Sequence, residues 1–133
     1  MQGVTLIELL AIVAIIATLI AMLAPSYQAQ SQQTRRADAA VQLTNAAVQM
    51  QSYYVGNGYS YSGADAQIQT FQSFNANSNV VYYNLSVKIT NSGAGFLLSA
   101  TPTSEQAADP CGVLTLDQSG ERKAEKSVDK CWR

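Results

Sequence analysis

The sequence predicts an α+β fold in which a long N-terminal α-helix packs on an antiparallel β-meander of three to four strands. Three observations carry that prediction. First, an apolar run from Val4 to Ala24 is followed, over 29–50, by residues of high helix propensity, with no glycine between Gly3 and Gly56. Second, Val81, Tyr83, Leu85, Val87 and Ile89 alternate with Tyr82, Asn84, Ser86, Lys88 and Thr90, the period-two pattern of a strand with one buried face. Third, the turn-forming stretches Asn91-Ser92-Gly93-Ala94-Gly95 and Gln118-Ser119-Gly120-Glu121 set off Phe96 to Thr101 and Val113 to Asp117 as further strands.

Length and composition narrow the function classes. Of 133 residues, the apolar run removes about a sixth from any water-soluble core, so one modest core remains and not two domains with a cleft. A net charge of −1 gives the whole molecule no field for a strong polyanion partner. The chain has no histidine, and its two cysteines alone are too few for a zinc site. No base, nucleophile motif, phosphate loop or ligand cluster joins the remaining polar residues, so neither an enzyme nor a cofactor is expected.

Within 4–24 every residue except Thr5, Glu8 and Thr18 is apolar. About twenty such residues at ~1.5 Å each span the ~30 Å hydrocarbon layer, so a single membrane crossing is the direct reading. The rival, a cleaved secretory signal, has a shorter core and a small-x-small site after it. Glu8 fits neither reading, because an ionised carboxylate inside a bilayer costs a few kcal/mol. The first basic residues, Arg35 and Arg36, lie some forty ångströms further along a continuous helix. Glu8 therefore either snorkels at the membrane edge or meets a positive charge on another molecule, for which an N-terminal ammonium is the obvious candidate.

The stretch Gly3-Val4-Thr5-Leu6-Ile7-Glu8-Leu9-Leu10-Ala11-Ile12-Val13-Ala14-Ile15-Ile16-Ala17 resembles the processing and assembly motif of type IV prepilins, and Ala24-Pro25-Ser26-Tyr27-Gln28 falls at that family's spacing from the glutamate. The resemblance implies the type IV pilin fold. It also implies that a membrane prepilin peptidase cuts between Gly3 and Val4 and methylates the new amine, and that Glu8 pairs with the first residue of a neighbouring subunit. Three departures stand against the pattern. Val4 replaces the usual phenylalanine or methionine, Ala17 replaces a frequent glycine, and Met1-Gln2-Gly3 carries no lysine or arginine. On the positive-inside rule Arg35 and Arg36 alone would favour the opposite orientation. A longer basic leader ahead of this numbering, or an unusually short leader, reconciles the two. Pro25 is expected to kink the helix, because it removes one backbone donor and crowds the preceding turn.

Residues 1–3 thus read as residual leader, 4–25 as the transmembrane and assembly helix, and 26–55 as an amphipathic second half. In that half Ala37, Val41, Thr44, Val48, Gln51 and Val55 follow a three-to-four spacing, a narrow stripe expected to face the sheet. Ala37-Asp38-Ala39, Met50-Gln51-Ser52-Tyr53-Tyr54 and Gly56-Asn57-Gly58-Tyr59 resemble minor pilins of the PilE type. Residues 56–79 read as a connection with a short helix near Ala64 to Phe71, anchored to the sheet by Tyr59, Tyr61, Phe71 and Phe74. Residues 80–133 form the sheet-bearing head.

Cys111 and Cys131 either form a disulfide, worth roughly 3 kcal/mol for a loop of about twenty residues, or stay as two buried thiols. The disulfide and the membrane span together suit an oxidising compartment. In the pilin family such a C-terminal disulfide-bounded region pins the chain end to the sheet. Arg122, Lys123, Lys126, Lys130 and Arg133 hold five of the eight basic residues, interleaved with Glu121, Glu125 and Asp129. They read either as a solvated, self-neutralising face or as a weak anion site.

The leading functional expectation is a structural subunit of a type IV pilus. It would sit single-pass in the inner membrane and then join an extracellular helical filament, with copies of itself or with other pilins, serving adhesion, motility or DNA uptake. A competence minor pilin that binds nucleic acid through Arg122, Lys123, Lys126 and Lys130 is the second expectation. A type II secretion pseudopilin is the third, weakened by the disulfide and by the lack of a clear acidic calcium-binding cluster near the end.

Overall fold

The computed structural model describes residues 3–67 and 81–133. Helix α1 runs over Leu6–Gly56, and the chain divides into two compact units, Met1–Gln33 and Thr34–Arg133. In the first unit α1 starts at a capping box. The Thr5 N–H and hydroxyl each donate to Glu8 Oε2 at 3.5 Å, and the Glu8 N–H donates back to Thr5 Oγ1 at 3.4 Å. Thr-x-x-Glu ahead of an apolar run satisfies two of the donors that every helix start leaves open. The hydroxyl of Thr18 donates to the Ile15 carbonyl at 2.8 Å, so it asks nothing of the apolar surroundings. Helical backbone continues through Pro25. The proline's own packing lies outside the described residues, and the kink there remains an expectation of the sequence.

The second unit holds the core. Strands β1 (Tyr83–Thr90), β2 (Gly95–Pro102), β3 (Leu114–Asp117) and β4 (Arg122–Lys123) form one antiparallel sheet in sequence order. Leu85 faces Ala100, Val87 faces Leu98 and Ile89 faces Phe96, while Leu98 and Ala100 face Leu116 and Leu114 on the other side. This register lines the apolar side chains of three strands on one face, against Leu43, Ala46 and Met50 of α1 in a single cluster. Phe96, Leu43, Met50, Leu98 and Leu114 are fully buried, each contributing about 1.5–3 kcal/mol over an exposed position. The predicted meander is thus observed, with a short fourth strand.

The predicted helix stripe is corrected. The side of α1 that meets the sheet carries Arg36, Ala39, Ala40, Leu43, Ala46 and Met50, whereas Val41, Val48 and Val55 are 56%, 66% and 65% exposed. Both sides repeat every three to four residues. The one with leucine, methionine and alanine fills the sheet's surface, because Leu43 and Met50 bring large apolar volume while the alanines admit the strands closely.

After α1 the chain turns at Asn57, whose amide donates to the carbonyls of Ser60 and Ser62 at 3.0 and 3.2 Å. This turn places Tyr61 in the core, stacked on Tyr54 at 4.5 Å and edge-on to Phe96 at 5.0 Å. Tyr61 therefore anchors the connection as expected. Tyr59 does not, being 71% exposed. Phe71 and Phe74 lie outside the described residues, and α2 covers Ala64–Gln67. The Tyr61 N–H donates to the Gly93 carbonyl at 2.8 Å in the β1–β2 turn. Gly93 has φ +95°, and a side chain there would collide with the hydroxyls of Ser60 and Ser62, so only glycine admits this docking.

Candidate functional site

Two surfaces and one buried cluster gather the residues singled out by sequence. In the first unit every described side chain from Gly3 to Leu23 is exposed, with Ile12 and Ile16 at 50% and Leu6 at 79%. Glu8 is the one acidic side chain in α1's first turn. Its capping partners are neutral, so they orient the carboxylate without cancelling its charge.

The C-terminal segment is held from within. Cys111 and Cys131 are joined, with Cα atoms 5.7 Å apart, and helix α3 (Val128–Cys131) carries the second cysteine. Arg36 reaches this region from α1. Its Nη1 bonds Asp109 Oδ1 at 2.8 Å and its Nε donates to the Cys131 carbonyl at 3.2 Å. Asp109 is further held by the Cys111 N–H at 3.0 Å, the Tyr83 hydroxyl at 2.8 Å and the Gln106 amide at 3.0 Å.

Both charged side chains are withdrawn from water, at 9% and 0% exposure. A buried ion pair persists only with this many hydrogen bonds. Burial pushes the Asp109 carboxyl up, but the donors from Cys111, Tyr83 and Gln106 and the charge of Arg36 outweigh it and hold the group below its ordinary value. The Tyr83 phenol is pushed up, first by burial and then by its bond to Asp109.

This cluster was not foreseen as a unit. Its signal was the phase of Arg36, which shares the helical repeat of Ala39, Ala40, Leu43 and Met50. A cation in an apolar repeat calls for a buried counter-charge.

The predicted anion-contact residues Arg122, Lys123, Lys126 and Lys130 are all exposed. Arg122 and Lys123 sit on the sheet-end strand β4, where Leu116 faces Arg122 and Thr115 faces Lys123. The Arg122 guanidinium lies over the Trp132 ring, 5.1 Å from its centroid, and the indole N–H donates to the Lys123 carbonyl at 3.1 Å. Trp132, absent from the sequence reading, therefore steadies one edge of the basic face. Lys123 also pairs with Glu121 at 3.3 Å, an exposed contact of little energetic weight. Among the described residues no group of three or more His, Cys, Asp or Glu is placed to hold a metal ion.

A helix-led subunit with a four-strand antiparallel sheet and a disulfide-bounded C-terminal segment is a type IV pilin by fold. A solved type IV pilin from Shewanella oneidensis is 33% identical, with a TM-score of 0.56 over 77% of this chain and 98% of that one. The Neisseria meningitidis non-core minor pilin PilV shares the fold at 22% identity, with a TM-score of 0.56 over 77% of this chain and 95% of its own. A search of curated proteins gave no match. Residues 25–115 match the family described as type IV minor pilin ComP, DNA uptake sequence receptor. The chain belongs to that family. It is a structural pilus subunit that assembles with other pilins, and its family and fold are those of structural pilins. The matched range stops short of Gly3, Val4 and Glu8 on one side and of the basic residues 122–133 on the other.

Proposed function

We propose that this pilin is held in the inner membrane by its N-terminal helix, is cut between Gly3 and Val4 by a prepilin peptidase that methylates Val4, and is then drawn into an extracellular filament with Glu8 as its assembly residue. The observation that carries this reading is that the large apolar side chains around a single carboxylate are all exposed, at 50–79%. Lipid covers that surface first, and neighbouring helices cover it afterwards, each buried side chain contributing on the order of 1.5–3 kcal/mol. Out of water, Glu8 needs more than the neutral donors of Thr5. A neighbour's N-terminal ammonium supplies the opposite charge, and only one stagger of the helices brings the two together, so the pair sets register.

In the Glu8→Ala variant the head should fold and stay membrane-bound while incorporation into filaments is lost, as read by immunoblot of sheared filaments against membranes. Wild-type filaments should yield a methylated Val4 as the first residue. Normal incorporation of the variant would refute the role of Glu8.

A second reading extends the first: the head contacts DNA during uptake. Membership of a family described as a DNA uptake sequence receptor favours it, as does the exposed basic face of β4 and α3. The segment from Glu121 to Arg133 carries five basic and three acidic side chains. Its contacts would go to phosphates, with binding that falls steeply with salt at a log–log slope of about −0.9 per contact. Replacing Lys123, Lys126 and Lys130 by alanine should weaken binding in a filter or mobility-shift assay and flatten the salt slope by about 0.9 for each lost contact. An unchanged affinity and slope would remove these residues from the interface.

A further inference from the structure

Among the described residues, three that are not glycine have left-handed backbone: Tyr59 at φ 62°, Asn91 at φ 50° and Ser92 at φ 54°. A side chain held in that region costs free energy that its surroundings must offset, and such residues gather where a chain meets a ligand. These three come from distant parts of the chain, yet the fold brings their loops together. Tyr59 lies in the turn after α1, and Asn91 and Ser92 belong to the β1–β2 turn. The two turns dock through the Tyr61 N–H, which donates to the Gly93 carbonyl at 2.8 Å, and through the close approach of Ser60 and Ser62 to Gly93.

The Tyr59 ring is offered to solvent, at 71% exposure, but it is not loose. Its backbone N–H donates to the Tyr54 carbonyl at 2.9 Å, and its ring stands edge-on to that of Tyr54 at 5.6 Å and 76°. Tyr54 in turn stacks on the buried Tyr61 at 4.5 Å. The side chains of Asn91 and Ser92 are exposed beside them. Residues 57–62 and 91–94 carry no charge, and the nearest charged residues along the chain, Asp65 and Lys88, have opposite signs.

We propose that Tyr59, Asn91 and Ser92 form a binding site for a neutral saccharide chain. A fixed aromatic ring covers the C–H face of a pyranose, while a neighbouring amide and hydroxyl exchange hydrogen bonds with the sugar hydroxyls. A ring already braced loses little freedom on binding. Nucleic acid fits this place less well, because its affinity rests on phosphate contacts to cations and neither turn holds one. The site depends on neither Glu8 nor the basic residues of β4 and α3.

Saturation-transfer NMR on the full chain, extracted in a detergent without sugar headgroups, tests this with cellohexaose, chitohexaose and mannohexaose as probes. At least one of them should receive saturation, strongest on its ring C–H protons. Tyr59→Ala should weaken that binding about tenfold, whereas Tyr59→Phe should retain it. Both variants should keep the wild-type unfolding midpoint, read by Trp132 fluorescence. Alanine at Lys123, Lys126 and Lys130 should leave sugar binding unchanged. No transfer to any of the three sugars would overturn the proposal, as would equal binding by Tyr59→Ala. Loss of sugar binding together with a lowered midpoint would assign the ring to the fold alone and overturn it as well. Weaker duplex DNA binding by Tyr59→Ala, without saccharide binding, would place these turns in a nucleic-acid face instead, overturning this proposal and leaving the DNA reading above standing.

Discussion

Replacing Arg36 by alanine should destabilise the head by about 3–5 kcal/mol, the cost of leaving one partner of a buried ion pair uncompensated. The change removes two bonds at once, to Asp109 and to the Cys131 carbonyl. It leaves a fully buried carboxylate with only neutral donors. Arg36→Lys should recover part of the loss, because an ammonium keeps the charge, yet its compact head cannot reproduce a guanidinium fork spanning both acceptors. Urea unfolding of the membrane-extracted chain, followed by fluorescence of Trp132, measures the shift in midpoint. A change within experimental error for Arg36→Ala would mean that the pair adds nothing.

The same cluster gives a pH dependence. The Asp109 carboxyl is held below its ordinary value, so in the unfolded chain it takes up a proton at higher pH than in the folded one. Its contribution is therefore complete above the unfolded value and is lost as pH falls through the folded one. The Tyr83 phenol is raised above 10.0, and its contribution runs the other way: present below that value and lost as pH rises beyond it. Stability should fall at both ends. Asp109→Asn should flatten the acid limb in particular.

Removing the disulfide has the second large effect. Cys111→Ser with Cys131→Ser frees a loop closed over a separation of 20 residues, worth about 3 kcal/mol in the chain-entropy model. Dithiothreitol on the wild type should shift the unfolding midpoint by a similar amount. The loss should not simply add to that of Arg36→Ala, because Arg36 bonds the carbonyl of Cys131 itself and neighbouring sites that share a partner couple. With the disulfide gone, Arg36 and Asp109 still tie α1 to the segment before Cys111, so the basic face should loosen before the sheet does. If reduction alone shifted nothing, the clasp around Arg36 would be sufficient to hold the chain end.

Several features could be read in the chain because they are local or periodic. The apolar run with its lone Glu8, the alternation through β1 and the turn residues before β2 and after β3 each depend on neighbours a few residues away. The Thr5–Glu8 capping box is local in the same way, a Thr-x-x-Glu pattern that was not singled out from the sequence. The count of two cysteines allowed only one pairing within the chain, but whether Cys111 and Cys131 pair or stay as thiols was decided by the fold, which brings their Cα atoms to 5.7 Å.

Other features depended on contacts across the fold. Repeat spacing shows that a helix has an apolar side but does not choose between two such sides. Val41, Val48 and Val55 compete in the sequence with Ala39, Leu43 and Met50, and the choice fell to the shape of a sheet formed some forty residues later. Arg36 finds Asp109 across 73 positions, and Arg122 meets Trp132 only once the C-terminal chain has closed. The sequence by itself therefore determined the apolar helix with its single carboxylate, because burial periodicity and charge are written residue by residue. The tertiary structure alone decided which side of that helix the sheet covers, which cation is buried, and which side stays open, because those depend on what packs opposite.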